Sequence, residues 1–405
     1  MQNIISQLTA LLKKRKLDRW KLELVTAKRV NLYLTKNLDN EAVLCSDRIN
    51  IEITIYKDYG KEMGESSFSL VYSSGDIDES EINKKIDEAL VMCEYSKNKK
   101  YSLQEIQGSQ PKLNLVDKNI ASGDVQSILF KLSHSFKQEL SKFKDIKPNN
   151  LELNATHSKS FFVNSFGVNF SEEKTALYVE LTLTATGQSS SNKLEQEYFA
   201  MHEFSSIDKL DVAAFVNENV SLVKDVLKSK PLKTFKGNVI ISGDALSDFF
   251  APLMVLNPLV LHASARIKHM GMSRYKLGEK IGDMRCDSIS IALNPLLPMN
   301  PASSSFDSDG VVSRHITLVE KGKFKQMFAS KQYADYLGVE PTGAFGSIEI
   351  NLGKSSKEDL YKMTPLIEIV TFSSFSPNSV SGDFSAEIRL GYKVETDKED
   401  RKSVV

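Results

Sequence analysis

Runs of strictly alternating polar and apolar residues constrain the fold of this chain more than any other feature. Residues 49–55 read Ile-Asn-Ile-Glu-Ile-Thr-Ile, and residues 21–25 and 176–186 alternate in the same way. Successive side chains of a β-strand point to opposite faces of the sheet, so a period of two predicts half-buried strands. We therefore expect the first half of the chain to be built around a sheet.

Helical periods separate these runs and predict amphipathic helices at residues 1–20, 78–97, 124–143 and 212–227. Ser80 is the predicted N-cap of the second helix. Asn164 and Gly167 supply the turn chemistry of a hairpin between two strands. A polar stretch at residues 96–110 is typical of a linker or a long loop.

The length of the chain favours two domains. Its 405 residues, 41% of them hydrophobic, exceed the ~250–300 residues at which a single core stops growing. We place the boundary after Pro231, giving an N-terminal α+β domain at 1–232, with a possible subdivision near 96–115, and a β-rich C-terminal domain at 233–405. The second half opens with a buried strand at 238–241, a helix at 245–256 and a helix that starts at Pro258. Short strands and turns follow, with one capped helical piece at 355–363, so the fold class is α+β.

Composition excludes several kinds of partner. With 52 basic and 52 acidic residues the net charge is zero, so we expect no direct binding to nucleic acid. The longest apolar segment, residues 249–261, is shorter than the ~20 residues needed to cross a bilayer. The three cysteines, Cys45, Cys93 and Cys286, are widely spaced, which favours a reducing cytoplasm over a disulfide framework. Cys286 is predicted to be a small buried hydrophobe.

An acidic sequence, Phe-Asp-Ser-Asp-Gly-Val at residues 306–311, allows two interpretations. Asp307 and Asp309 could bind a hard cation or act as paired carboxylates, but a calcium loop needs more oxygen ligands than this segment offers. The interpretation we favour is a turn in which the Asp side chains bond local backbone and Gly310 adopts a positive φ.

Several segments together resemble the TldD/PmbA family, formerly called modulators of DNA gyrase. They are residues 306–311, Thr-Leu-Val-Glu-Lys-Gly at 317–322, Pro-Thr-Gly at 341–343 and Ser-Gly-Asp-Phe-Ser at 381–385. Residues 30–58 are also similar to the N-terminal region of that family, so the resemblance covers nearly the whole chain. Family members usually continue past Gly391 with another strand, so the resemblance implies either that the last strands are missing or that residues 395–402 form a frayed tail.

The resemblance implies a two-domain protein related to metallopeptidases. TldD-like members are zinc peptidases that cut unfolded peptides, and PmbA-like members, also called TldE, lack the zinc motif and serve as their partners. Members pair as homodimers or heterodimers around a peptide-binding space. By this resemblance Asp307, Asp309, Gly310, Thr342 and Gly343 are candidates for the edge of that space.

The zinc motif of the TldD-like branch, His-Glu-x-x-x-His, is not matched at the corresponding helix. Ala263 follows His262 where Glu is required, and Ile267 takes the place of the second histidine. His269 comes seven residues after His262, about 10.5 Å along a helix at ~1.5 Å per residue, too far for one zinc ion. We expect no cofactor, with His262 as a core or interface histidine and His269 at the helix C-terminus.

Three functions follow as hypotheses. The leading one is a cytoplasmic, non-zinc subunit that binds unfolded peptides or a TldD-like partner and supports proteolysis, by adding the peptide as a strand at an exposed sheet edge. The alternative is an active metallopeptidase that binds zinc through rearranged ligands, His262 and His269 among them. The third is a regulator associated with DNA gyrase, which the zero net charge disfavours.

Overall fold

The alternating runs pair with one another, as their period predicts. The computed structural model describes residues 2–73, 78–106, 108–188, 193–232, 234–250, 258–282, 287–378, 381–394 and 402–404. In chain order the first half contains α1 (Gln2–Lys14), β1 (Arg19–Thr35), β2 (Asn40–Tyr59), β3 (Glu62–Tyr72), α2 (Glu79–Met92), β4 (Lys97–Lys99), α3 (Lys118–Ala121), α4 (Val125–Leu140), β5 (Ile146–Asn164), β6 (Asn169–Gln188), β7 (Lys193–Phe204) and α5 (Val212–Lys228).

The strands of the first half form one antiparallel sheet. Within the described residues its order is β4-β3-β2-β1-β5-β6-β7. β1 is central and pairs along its whole length with β2 on one side, and from Lys21 onward with β5 on the other. Asn164 closes the predicted β5–β6 hairpin, because its side-chain oxygen accepts from the backbone N–H groups of Phe166 and Val168.

The two faces of this sheet have different coverings. Even-numbered residues of β1, such as Leu22, Leu24 and Leu32, are buried beneath helices. α1 and α2 cover one end of this face, and α4 and α5 cover the other. Odd-numbered residues such as Lys21 and Glu23 lie on the opposite face and are only half-buried. That polar face meets the second half of the chain.

The second half is built from two smaller sheets. Within the described residues their strand orders are β11-β10-β9-β12 and β15-β14-β13-β8, and β8 pairs in parallel with β13. Its elements are β8 (Asn238–Ile241), α6 (Gly243–Phe250), α7 (Pro258–Leu261), α8 (Ala265–His269), β9 (Ile291–Asn294), β10 (Ile316–Glu320), β11 (Lys323–Phe324), α9 (Lys331–Leu337), β12 (Ser347–Ile350), α10 (Lys357–Tyr361), β13 (Leu366–Pro377), β14 (Phe384–Val394) and β15 (Lys402–Val404). The expected α+β class is therefore confirmed.

One strand of the second half completes the core of the first. Leu390 on β14 is fully buried in the cluster formed by α4, α5 and the sheet. Nearby, the Tyr392 hydroxyl donates to Asp225 Oδ2 on α5 at 2.6 Å, and Arg389 donates to the carbonyl of Glu197 on β7. The two halves thus share apolar as well as polar contacts.

Several local predictions were wrong. Asp78, not Ser80, caps α2, since its carboxylate accepts from the N–H groups of Ser80 and Glu81. β8 is not buried, because Val239 is exposed at the end of its sheet. The helix α9 was not predicted, although it ends at Gly338 in the left-handed conformation typical of a helix C-terminus.

The predicted continuous helix after Pro258 is broken. α7 ends at Leu261, and α8 begins at Ala265. Between them, the backbone N–H of Ala265 donates to the Phe328 carbonyl at 2.8 Å, and the N–H of Phe328 donates to the Ala263 carbonyl at 2.9 Å. These bonds to a residue more than 60 positions away in the chain replace the hydrogen bonds that a helix would have made.

The polar stretch at residues 96–110 is not an open linker. β4 pairs with β3 at its start. Tyr101 and Leu103 are then buried, with Tyr56 and Met63 in the same cluster. Strands from both sides of residues 96–115 belong to the same sheet. After β4, residues 100–106 and 108–116 do form a long loop without helix or strand, but part of it is packed against the sheet because Tyr101 and Leu103 are buried.

Parts of other predictions lie outside the described residues. These are Cys286, residues 251–256 of the predicted helix at 245–256, and most of the charged segment 395–402. Among the helices that the structure does describe, none combines the length and the apolar character needed to cross a bilayer.

Candidate functional site

The acidic turn, residues 306–311, folds on its own backbone. Asp307 Oδ1 accepts from the N–H groups of Asp309 and Val311, both at 2.9 Å. The N–H of Gly310 donates to the Asp307 carbonyl at 3.0 Å, and the φ of Gly310 is +75°. This geometry is the turn that the sequence favoured. Asp307 Oδ1 therefore stabilises the turn through these two backbone hydrogen bonds.

Aromatic packing holds the acidic turn against the polar face of the first sheet. Phe306 packs against Phe162 on β5 and Phe170 on β6, with ring centroids 6.4 and 5.6 Å apart. Gly310 lies so close to Phe162 that an added Cβ would come within 2.3 Å of its Cε1. A glycine is therefore required both by the positive φ and by the aromatic ring.

Lys21 on β1 is the cation beneath this turn. Its Nζ lies 3.3 Å from Asp309 Oδ1, 3.1 Å from the Ser308 carbonyl and 3.7 Å from Glu23 Oε1. Burial by itself would lower the pKa of Lys21, but the surrounding Tyr56, Asp309 and Glu23 outweigh it and raise the pKa above its ordinary value. Lys21 therefore carries its charge throughout the physiological range.

The carboxylates around Lys21 outnumber it. Burial, and then the neighbouring Asp309 carboxylate, raise the pKa of Asp307 from 3.8 to about 7. Burial also raises the pKa of Glu23, with Glu52 and Asp309 adding to the effect and Lys21 opposing it. We call Lys21, Glu23, Asp307 and Asp309 the junction cluster. Its one cation cannot neutralise three ionised carboxylates at once.

A layer of tyrosines borders the junction cluster. The Tyr101 hydroxyl donates to Glu65 Oε2 at 3.1 Å, and burial raises the pKa of both groups. The Tyr56 hydroxyl is buried beside them and makes no hydrogen bond of ordinary geometry within the described residues. The rings of Tyr56 and Tyr101 meet edge to face at 6.3 Å. Tyr56 also interacts electrostatically with Lys21, which links this layer to the cluster.

Asp307→Asn should change how stability depends on pH. In the folded chain Asp307 holds its proton up to pH of about 7, whereas unfolded chains lose it near 3.8. Its stabilising contribution is thus full below pH of about 4 and is lost as the pH rises through about 7. Asparagine keeps the acceptor oxygen and stays neutral. We expect the variant to gain about 4 kcal/mol over the wild type between pH of about 4 and about 8.

Urea unfolding midpoints at the two pH values measure this gain. Asp47→Asn is the control, because Asp47 forms only an exposed pair with Lys28. The same pH dependence in Asp307→Asn and the wild type would show that Asp307 is not protonated in the folded chain.

The Pro-Thr-Gly segment lies behind the acidic turn. Thr342 is only 1% exposed; its N–H donates to the Ala329 carbonyl, and its hydroxyl oxygen accepts from the N–H of Ala329. Gly343 has φ +77°, and a Cβ there would come within 2.5 Å of Ser313 Cα. Of the five predicted edge residues, Asp307 and Asp309 are half-buried, and Gly310, Thr342 and Gly343 are buried.

Comparison with known proteins relates this arrangement to a family. Residues 235–400 match the family model described as the PmbA/TldA metallopeptidase C-terminal domain. The C-terminal part of the chain therefore resembles the C-terminal domain of the TldD/PmbA family. A search of curated proteins found no match.

Solved structures share the TldD/PmbA fold over the whole chain. TldE from Thermococcus kodakarensis superposes with a TM-score of 0.78 at 19% identity, covering 99% of this chain and 90% of that one. A candidate modulator of DNA gyrase from Thermotoga maritima gives 0.78 at 19% identity, with 100% and 90% covered. A second, from Bacteroides thetaiotaomicron, gives 0.77 at 18% identity, with 100% and 89% covered.

The two histidines near the position of the TldD zinc motif have separate surroundings. His262 is only 4% exposed; its Nδ1 accepts from the N–H of Arg274 at 3.4 Å, and its ring packs against Tyr275. His269 is exposed at the end of α8 and packs on Tyr336, with centroids 4.9 Å apart. Within the described ranges no three His, Cys, Asp or Glu side chains come together in a way that could hold a metal.

The sequence did not identify the residues that the first half of the chain contributes to this site. Lys21, Glu23, Glu65 and Tyr101 were not selected, because charged residues at alternate positions of a strand normally face water. A signal was present, since β1 alternates through Lys21, Glu23 and Val25 on the face opposite its leucines. Nothing in that pattern, however, identifies residues 306–311 as the surface that covers it.

Proposed function

We propose that this chain is a PmbA/TldE-like subunit that supports proteolysis without hydrolysing peptide bonds itself. The observation that carries the proposal is the chemistry at the zinc-motif position, where Ala263 and Ile267 replace the required Glu and His. The break between α7 and α8 adds support, because it separates His262 from His269 and gives each ring its own aromatic neighbour.

Such a subunit would act in the cytoplasm as a homodimer or as a heterodimer with a TldD-like partner. Unfolded peptide would bind by adding a strand to an exposed sheet edge. β7 is a suitable edge because it is the last strand of its sheet and exposes Phe199 and Met201. Asp307 and Asp309 would border the peptide-binding space, with Gly310, Thr342 and Gly343 forming the wall behind them.

The test is metal content and peptide cleavage, measured on the chain alone and with a co-expressed TldD-like subunit. We expect substoichiometric zinc and no cleavage of unfolded peptide by the chain alone. We also expect cleavage when the partner is present, together with co-elution of the two chains. Stoichiometric zinc and chelator-sensitive cleavage by the chain alone would overturn the proposal and favour the active metallopeptidase.

Replacing His269 distinguishes a non-zinc subunit from an active metallopeptidase. His269→Ala should leave the metal content of the protein unchanged, as should the control His134→Ala on α4, since both side chains are exposed. A loss of metal in His269→Ala alone would show that His269 is a ligand. Elemental analysis of the purified variants gives the answer.

A further inference from the structure

A cleft of ≈790 Å³ opens between the two halves of the chain, beside Tyr101. Its walls come from the β2–β3 turn with Gly60 and Lys61, from residues 99–102 after β4, and from the C-terminal end of α9. This volume lies within the range of pockets that bind small molecules. The cleft is separate from the histidines of the zinc-motif position.

Basic side chains dominate the lining of this cleft. Arg19, Lys61, Lys99 and Lys100 supply four positive charges, and the acidic residue of the lining is Asp335. Asp335 is already satisfied, because it accepts from Lys331 Nζ at 2.6 Å and from the N–H of Ser102 at 2.7 Å. The lining is therefore strongly positive although the whole chain is neutral.

Two of these cations are available to a ligand. Asp58 Oδ2 lies 3.3 Å from Arg19 Nη2 and 2.8 Å from Lys100 Nζ, so a single carboxylate is shared between two cations. Within the described part of the chain, Lys61 and Lys99 have no carboxylate partner. Lys99 instead lies 5.3 Å from the centre of the Tyr336 ring. Mutual repulsion among like charges in one cleft favours binding of an anion.

The walls of the cleft also suit an organic anion. Tyr101 and Val339 provide apolar surface beside the lysines. The backbone around Tyr101 is fixed, since Arg19 Nη1 donates to the Tyr101 carbonyl at 2.9 Å. The far wall is fixed too, since Ser102 is bonded to Asp335 on α9. A ligand here would touch both halves of the chain.

We propose that this cleft binds an anionic group through Lys61 and Lys99, with the carboxylates of an acidic peptide segment as the candidate that matches its size. Free phosphate offers the same charge and is the other possible source. The site requires neither zinc nor a TldD-like partner, so its test does not depend on the proposed function.

Calorimetric titration of the full chain tests the site with three probes. They are a blocked peptide of three glutamates, the corresponding peptide of three glutamines, and inorganic phosphate. We expect the glutamate peptide to bind and the glutamine peptide not to bind. Lys61→Gln and Lys99→Gln should each weaken binding roughly fivefold, the order expected for one partly exposed charge pair.

Lys131→Gln is the matched control, because Lys131 is an exposed lysine on α4 and does not line the cleft. It should leave the affinity unchanged. Salt gives a second test. Raising the salt concentration from about 0.1 M to about 1 M shortens the screening length from about 10 Å to about 3 Å, so it should weaken binding of the glutamate peptide to the wild type.

The inference is supported if the glutamate peptide or phosphate binds and if this binding depends on Lys61 and Lys99. The probe that binds with the higher affinity identifies the source of the anion. The inference is overturned if neither probe binds. It is also overturned if the two lysine variants bind as the wild type does, or if Lys131→Gln weakens binding equally.

Discussion

Lys21→Met is expected to lower the free energy of unfolding by about 3 kcal/mol, the order found when one partner of a buried ion pair is removed. The variant keeps the aliphatic stem of Lys21 and deletes the cation that faces Asp309, Glu23 and the Ser308 carbonyl. The remaining carboxylates would then repel one another at the interface. Urea unfolding measures the loss.

A surface pair on the same strand serves as the control for Lys21→Met. Lys28 also lies on β1, but its pair with Asp47 is exposed. Lys28→Met should therefore change the free energy of unfolding by less than about 1 kcal/mol. Hydrogen exchange adds a local measure, because the N–H groups of Asp309 and Val311 should lose protection only in Lys21→Met. Equal losses in the two variants would contradict the role assigned to Lys21.

Gly310→Ala should destabilise the contact between the two halves by a similar amount, about 3 kcal/mol. A positive φ costs an L-residue about 1–2 kcal/mol. The new Cβ would also come within 2.3 Å of Phe162 Cε1, and Phe162 is buried in the sheet with little room to move. Overpacking of this kind costs about 1–3 kcal/mol. The measurement is the urea midpoint, together with hydrogen exchange of residues 304–313.

Gly278→Ala distinguishes the backbone cost of Gly310→Ala from its overpacking cost. Gly278 has φ +79°, close to that of Gly310, but a Cβ there would meet nothing within 4 Å. Gly278→Ala should therefore lose only the backbone part, about 1–2 kcal/mol. If the two variants are equally stable, the ring of Phe162 moves aside at no cost and does not fix the acidic turn.

The periodic elements were predictable because local chemistry determines them. The alternation at residues 49–55 became the part of β2 beneath α2, with Ile51, Ile53 and Ile55 buried. The capped piece at 355–363 became α10, in which Ser356 and Asp359 bond each other's backbone N–H groups. In each case the signal lies within a few residues of the structure that it predicts.

The errors occurred where distant segments decide the structure. Residues 258–269 have a helical pattern, yet Phe328 pairs with Ala263 and Ala265 and interrupts it. A pattern read along the chain cannot identify a partner that is more than 60 residues away. The candidate site shows the same limit: the acidic turn was predicted as a turn, but its cation, Lys21, precedes Asp309 by 288 residues.

The position of Leu390 has a consequence for synthesis of the chain. The core beneath α4 and α5 contains Leu390 from β14, which leaves the ribosome about 160 residues after α5 ends. At about 5–20 residues per second, that interval lasts roughly 8–30 s. During it the nascent first half of the chain exposes an apolar gap that only a later strand fills. A truncated product that stops before Phe384 would keep this gap permanently open to chaperones and proteases.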